Sequence, residues 1–274
     1  MPELPEVETI ARDLRAHIVG RTVTAVHVTH ADLLAPGLSP ARLASALEGR
    51  RIEGVGRRGK NLVLDFAGGS ILVVHLGMTG RLVLGDAARA DELRHVRVRF
   101  DLDRGGPLLY DDVRRFGRFE LHTPASWRER QASLGVEPLS KAFTAERLHA
   151  WTQRSRTPIR NWLLDQRHVV GIGNIYANEA LFRARIRPDR PANSLGADEA
   201  ARLRDAIRDV LEAAIRVRGT TFRDYRDATG EAGGFEPLLQ VYGREGEPCR
   251  VCGTPIERIV LSNRSAFFCP RCQR

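Results

Sequence analysis

Residues 249–272 read CRVCGTPIERIVLSNRSAFFCPRC, two Cys-x2-Cys pairs separated by sixteen residues. Each pair makes a turn that lets two thiolates face one ion, and two such turns close a tetrahedral four-sulfur shell. No position is left open for a substrate, so Cys249, Cys252, Cys269 and Cys272 point to a single structural Zn2+. They are the only cysteines in the chain, and in a reducing compartment this arrangement suits a metal more than disulfides. Redox-active or chance Cys-x2-Cys pairs are the alternative reading. A module this short cannot bury an adequate core, so metal binding should supply most of its stability. Between the pairs, Ile259–Leu261 and Phe267–Phe268 flank Asn263, Arg264 and Ser265, which predicts a β-hairpin with Arg264 at its tip. An arginine there is either a solvated charge or a cation presented to a phosphate by a rigid finger.

Moving back along the chain, residues 240–274 form the cysteine-bearing module, preceded by a Gly- and charge-rich stretch, 219–235, that reads as a mobile loop. Residues 144–153, 158–166, 174–184 and 197–218 carry the helical period, the last through Leu203, Ile207, Leu211 and Ile215. The character changes at 124–138. Before that the pattern is mostly short and β-like: 22–28, 51–56, 61–66, 70–76, 81–84, 95–102 and 108–110, with one helix at 40–48. Strands of this length and spacing predict a sandwich or a barrel. Val7, Ile10, Ala11, Leu14 and Ile18 predict a leading helix over 7–19, ended at Gly20. There are no internal repeats and no low-complexity tracts.

The 274 residues carry 43 Lys plus Arg against 34 Asp plus Glu, a formal net charge of +9. A polyanionic partner is therefore worth considering, although charge alone is equally compatible with a merely basic protein. No apolar run approaches the roughly 18 residues of a membrane span. The start, MPELPE, has neither a basic nor an apolar signal region, so a cytoplasmic protein without a membrane partner is expected.

That same start has a chemical reading. Methionine before proline is normally trimmed, which would expose a secondary amine at Pro2. An α-amino group has a reference pKa of about 7.7 to 8.0, so part of it is neutral near pH 7 and can attack an aldehyde-like carbon. Glu3 and Glu6 lie beside it as possible proton donor, base or electrostatic support. The plain alternative is an ordinary lead into a helix.

Taken together, MPELPEVET at residues 1–9 and the four-cysteine finger resemble the formamidopyrimidine-DNA glycosylase (Fpg, MutM) family, of bacterial type. The resemblance continues through Arg58-Gly59-Lys60-Asn61-Leu62, His75-Leu76-Gly77-Met78-Thr79-Gly80 and Asp112-Val113-Arg114-Arg115-Phe116-Gly117. It runs on through Leu134–Leu139, Gly171–Tyr176 and Gln240–Arg244, in family order across the whole chain. Leu4 resembles the purine-lesion branch; the sister endonuclease VIII branch typically has Gly there.

The resemblance implies an α+β, multi-domain protein. It would have an N-terminal catalytic β-sandwich with a leading helix (1–135), a helix-two-turn-helix DNA-binding domain (136–235) and a zinc finger (236–274). It implies a monomer acting on damaged double-stranded DNA: a base-excision-repair glycosylase with lyase activity, removing oxidised purines such as 8-oxoguanine and formamidopyrimidines. By that likeness the Pro2 amine forms a Schiff base with the sugar, Glu3 is the general acid and Glu6 a supporting carboxylate. Lys60 is linked to β-elimination and Arg264 to phosphate binding and δ-elimination.

A base must be flipped out of the duplex to be reached. Met78, Arg114 and Phe116 resemble the residues that fill the gap; in bare sequence Met78 and Phe116 would more often be core residues, but their setting in Gly-rich turns beside charged residues favours loops. Asn174 opens a helix after Gly171-Ile172-Gly173, where backbone N–H groups can hold a phosphate. His75, His95, Arg156, Arg160 and Tyr242 match positions at or near DNA, and either histidine could instead be structural. The segment 219–235 corresponds to the one that closes over an everted base. Two departures stand out: Val113 replaces a common proline, and Arg160 replaces a common lysine. An endonuclease VIII-like preference for oxidised pyrimidines, and a non-catalytic damaged-DNA binding protein, are the alternatives.

Overall fold

In the computed structural model, which describes residues 2–86, 93–222 and 225–274, the leading apolar stripe folds as α1 (Leu4–Ile18). Val7, Ile10, Ala11, Leu14 and Ile18 are all fully buried on one face. The helix starts three residues before its periodicity does. Pro5 lies in its first turn and Glu6 turns back to accept the Glu3 N–H at 2.8 Å, so the orphan donors of the terminus are satisfied locally.

Among the described residues eight strands follow: β1 (Val23–Val28), β2 (Ile52–Arg58), β3 (Asn61–Phe66), β4 (Ile71–His75), β5 (Arg81–Leu84), β6 (Val96–Leu102), β7 (Leu108–Asp111) and β8 (Arg118–His122). They form two antiparallel four-stranded sheets, β1-β6-β7-β5 and β2-β3-β4-β8. One core joins residues of both sheets to α1 and to α2 (Pro40–Leu47), which Ser39 caps at its N-terminus. The arrangement is the expected β-sandwich with a leading helix.

Strand β8 and the following helix α3 (Pro124–Ala132) add to the elements expected from the sequence pattern. The strand is five residues with two exposed or half-exposed charges, and the helix buries only Trp127. Trp127 packs on Val63, Ile71 and Val73 from the opposite face of β3 and β4. That second buried face explains why β4 reads as an unbroken apolar run and not as an alternation.

The chain forms two compact units, Met1–Ala132 with Ile215–Glu236, and Ser133–Ala214 with Pro237–Arg274. The second contains α4 (Ala145–Thr152), α5 (Ile159–Leu164), α6 (Asn174–Ala184) and most of α7 (Ala197–Arg216), followed by the hairpin β9 (Glu257–Leu261) and β10 (Arg264–Phe268). Thr144 caps α4 by accepting from Arg147 N. The hairpin turn is Ser262–Asn263, with φ of 46° and 61° at these positions, as a two-residue hairpin turn requires. Arg264 is therefore one step past the expected tip: it opens β10, opposite Leu261. No helix among the described residues is long and apolar enough to cross a membrane.

Candidate functional site

The residues marked out by the sequence fall into clusters within each unit. In the first, Pro2, Glu3 and Glu6 are buried at the start of α1, Glu3 and Glu6 to 2% and 1% exposure. Carboxylates are almost never this buried without partners. One Glu6 oxygen accepts from Glu3 N, and the other accepts from Thr220 N at 2.7 Å. Gly219, at φ +87°, brings the backbone so near that a Cβ there would lie 2.7 Å from the Glu6 carboxylate. Glu6 thus ties the N-terminal cluster to the segment that begins at Gly219. Met1, on whose removal a free Pro2 amine depends, lies outside the described residues.

That segment is held much more firmly than a loose loop. Asp227 is fully buried and accepts from Thr229 N, Thr229 Oγ1 and Glu231 N, while Arg218 Nε donates to it at 2.6 Å. Arg218 also reaches Asp13 on α1 at 2.6 Å. The Tyr225 hydroxyl donates to the Arg218 carbonyl at 3.1 Å, and burial keeps its pKa well above the ordinary phenol value. The mobility expected from Gly and charge content is thus opposed at Thr220 and from Tyr225 onward. Residues 223 and 224 lie outside the described residues. The sequence signal for this order is Asp227-Ala228-Thr229-Gly230, an Asp-centred turn whose side chain caps the next residues' N–H groups.

Lys60 sits in the two-residue turn joining β2 to β3, next to Asn61, which pairs with His75 on β4. His75 Nδ1 accepts from Gly77 N at 3.1 Å. Burial first, and the nearby Lys60 ammonium second, lower the His75 pKa, so the imidazole is neutral at pH 7 with its proton on Nε2.

Met78, Arg114 and Phe116 are exposed, Met78 to 42% and Phe116 to 54%, so these apolar side chains are not core residues. The Arg114 guanidinium lies 4.5 Å over the Phe116 ring. Val113, in place of the common proline, is 54% exposed beside them. His95 lies at the edge of the same region: its N–H donates to Asp111 Oδ1 at 2.7 Å, and its Nδ1 lies 3.3 Å from Arg97. The described contacts of His95 are therefore structural.

In the second unit, Arg264 is exposed while Arg160, expected to face DNA, is fully buried. That expectation is corrected by its contacts. Arg160 donates to the Arg264 carbonyl at 2.6 Å and to the Leu261 carbonyl at 3.4 Å, on either side of the hairpin turn. Burial and the neighbouring Arg264 charge lower its pKa to about 10, still leaving it cationic at pH 7. Asn161 reaches Ser262 Oγ at 2.9 Å, Asn174 Nδ2 donates to Ser265 O at 3.0 Å, and Asn178 Oδ1 accepts from Phe267 N at 2.7 Å. Side chains of α5 and α6 therefore hold the hairpin along its length. Tyr242 stacks edge-on against Phe267, 5.2 Å between centroids, and Glu179 accepts its N–H at 2.9 Å. Arg156 is exposed ahead of α5. An Arg160→Met substitution strands two carbonyls at the turn and is expected to cost about 2 kcal/mol or more in denaturant unfolding of the zinc-loaded protein, with Arg160→Lys recovering part of it.

The four cysteine sulfurs lie within 4.8 Å of one another. Cys249 and Cys272 Sγ are 4.0 Å apart, and Cys252 and Cys269 Sγ 3.4 Å. A tetrahedral Zn2+ with bonds of about 2.3 Å needs sulfur–sulfur edges of about 3.8 Å, so the donor set fits one zinc ion. A hydrogen bond from Thr254 pulls the Cys252 thiol down to about 6, while burial raises Cys272 to about 12. Zinc ligates thiolates, so its binding would displace the remaining thiol protons. The core beside Cys249 and Cys269 is small: Val241 and Ile256, with Phe182 contributed by α6.

Comparison with known proteins agrees with this geometry. Residues 1–119 match the model of the formamidopyrimidine-DNA glycosylase N-terminal domain, 134–226 that of its H2TH domain, and 246–274 that of the zinc finger found in FPG and IleRS. The chain is 48% identical to the formamidopyrimidine-DNA glycosylase of Aromatoleum aromaticum, over 100% of both chains. Among solved structures, the MutM (Fpg) protein of Thermus thermophilus superposes with a TM-score of 0.89 at 44% identity, covering 99% of this chain and 98% of that one. A Lactococcus lactis Fpg mutant in complex with a Fapy-dG containing DNA gives 0.91 at 35% identity, covering 100% of both. The chain belongs to the formamidopyrimidine-DNA glycosylase family.

Proposed function

We propose that this protein is a base-excision-repair DNA glycosylase with associated lyase activity, removing oxidised purines such as 8-oxoguanine and formamidopyrimidines from duplex DNA. The observation that carries the reading is the N-terminal cluster: Pro2 followed by two buried carboxylates, one of them bonded both to its own helix start and to Thr220. Full-length similarity to formamidopyrimidine-DNA glycosylases supports it, as does the likeness to a relative bound to Fapy-dG containing DNA.

In this reading the Pro2 nitrogen attacks C1′ of the everted nucleotide, the glycosidic bond breaks, and the base leaves with the electron pair. Glu3 protonates the ring oxygen as the sugar opens, leaving an iminium between C1′ and Pro2. The iminium acidifies the C2′ proton; its loss expels the 3′ phosphate, and a second elimination expels the 5′ phosphate. Lys60 serves the first elimination and binds phosphate. Arg264 grips the phosphates around the lesion, positioned through Arg160. Met78, Arg114 and Phe116 fill the space left by the everted base, with Arg114 facing the orphaned cytosine. His75, Arg156, Asn174 and Tyr242 add phosphate contacts. The chain acts as a monomer in the cytoplasm, with 1–135, 136–235 and 236–274 as its catalytic, DNA-binding and zinc-finger parts.

Glu3→Gln separates the steps. Loss of the acid is expected to remove excision of the intact lesion, by about 10²- to 10⁴-fold, while part of the cleavage at a pre-made abasic site survives. Gel assays on the two substrates in parallel decide it; equal loss on both would show that Glu3 is not chiefly the acid of base removal.

A further inference from the structure

Met78 and the pair Arg114 and Phe116 come from different loops, β4–β5 and β7–β8, yet both loops converge on one carboxylate. Asp112 is fully buried. Its Oδ1 accepts from Thr79 Oγ1 at 2.6 Å and from Arg114 N at 3.2 Å. Its Oδ2 accepts from Gly117 N and from the Tyr110 hydroxyl, both at 3.0 Å. The four donors belong to the residue after Met78, to Arg114 itself, to the residue after Phe116, and to the strand beneath. Burial and the adjacent carboxylates hold the Tyr110 hydroxyl protonated, so it stays a donor.

The backbones meet as well. Gly77, at φ +66°, leaves no room for a side chain, since a Cβ would sit 2.5 Å from the Phe116 carbonyl carbon. A Cβ on Gly117 would lie 1.7 Å from the Tyr110 hydroxyl oxygen. Between these fixed points Arg115 takes φ +54°, a left-handed conformation that a branched network can impose on a non-glycine residue. Arg114 and Phe116 thereby flank Arg115 and come together, guanidinium over ring.

We infer that Asp112 is a positioning residue that locks the two loops into a single preassembled wedge, and so sets how strictly the enzyme selects the base opposite the lesion. The inference rests on the proposed glycosylase reading. Asp112 is fully buried and presents no surface to a substrate. Its action runs through the Arg114 backbone and through Thr79, next to Met78. Holding both before DNA arrives removes the ordering cost that would otherwise fall on recognition. Asparagine at 112 keeps one acceptor oxygen but turns an N–H2 group toward donors, so it can satisfy one loop and not both.

The test compares Asp112→Asn with the parent, both full-length and zinc-loaded, in single-turnover excision of 8-oxoguanine opposite cytosine and opposite adenine. Borohydride trapping on a single-stranded abasic oligonucleotide, which offers no orphaned base, runs alongside. Misplacing a recognition group by about 1 Å can cost about a hundredfold, so excision opposite cytosine is expected to fall by roughly that factor. The cytosine-to-adenine ratio is expected to shrink at least severalfold, while trapping stays within about threefold of the parent. Thr79→Ser, which keeps the hydroxyl, retains the ratio, and Thr79→Val narrows it. If Asp112→Asn folds and traps normally yet keeps the parent's ratio, the inference is wrong. Should Asp112→Asn fail to fold, Thr79→Val decides: a narrowed ratio supports the inference and an unchanged one overturns it. Failure of the parent itself to trap would instead sink the glycosylase reading.

Discussion

A protein carrying Pro2→Gly, or one that keeps Met1, is expected to lose base excision by on the order of a thousandfold or more, as when a covalent nucleophile is removed. The two changes act differently. Retained Met1 converts the Pro2 nitrogen into an amide, whose lone pair is delocalised into the carbonyl and cannot attack C1′. Glycine keeps an amine but loses the ring that blocks rotation about the N–Cα bond, so the nitrogen lone pair is no longer held in one direction at the start of α1. Neither change alters the exposed Arg114, Arg156 and Arg264 or the finger. DNA affinity is expected to stay within about tenfold, or roughly 1.4 kcal/mol. Intact mass of the protein, excision in single turnover and affinity for lesion-bearing duplex test this together. Full excision by protein shown to carry Met1 would leave the Schiff base without a nucleophile.

Removing the metal is the second large effect. The core around the finger's cysteines has only Val241 and Ile256 of its own, with Phe182 contributed by α6, whereas structural zinc supplies an apparent 10 to 16 kcal/mol, roughly, in comparably small modules. Without it the β9–β10 hairpin loses the base of its fold. Arg264 then loses its fixed place even though Arg160, Asn161, Asn174 and Asn178 still offer their hydrogen bonds. Chelation under reducing conditions, or Cys249→Ser with Cys269→Ser, is expected to abolish high-affinity DNA binding. Stoichiometric zinc should restore it in the chelated protein only. The checks are zinc content and binding isotherms at one stated salt concentration, since affinity for a polyanion moves steeply with salt. Unchanged binding after verified metal loss would mean that the finger contributes no affinity.

Much of this architecture is legible in the sequence, and the exceptions share a cause. Apolar strands such as Asn61–Phe66 and Arg81–Leu84, each with three consecutive buried residues, match their predicted limits because packing and propensity agree there. β8 and α3 escape a reading by pattern because they are short and charged, and are defined by what they cover. The four cysteines and the exposed Met78 and Phe116 are readable from spacing and from glycine-rich surroundings. Arg160 is misplaced by sequence reasoning because a positive charge near a DNA-binding segment suggests a surface contact. Its burial depends on two carbonyls about a hundred residues further on, which no local pattern reveals. Asp112, which needs Thr79 from another loop, and Thr220, whose N–H donates to Glu6 far back in the chain, go unmarked for the same reason, whereas Asp227 collects most of its donors locally. The 219–235 segment looks loose by composition, and the Asp227 turn and the Arg218 bridges oppose that.

The Schiff base on Pro2 is tested most directly by borohydride trapping on a duplex with one 8-oxoguanine opposite cytosine, followed by peptide mapping of the adduct. The chain makes the mapping clean, because its only lysines are Lys60 and Lys141, so few amines compete for the sugar. The expected result is one covalent adduct, on the N-terminal peptide at Pro2, formed by zinc-loaded protein whose mass shows Met1 removed. No adduct from that protein on this duplex or on an abasic site, or an adduct confined to Lys60, would contradict the assignment of Pro2 as the nucleophile.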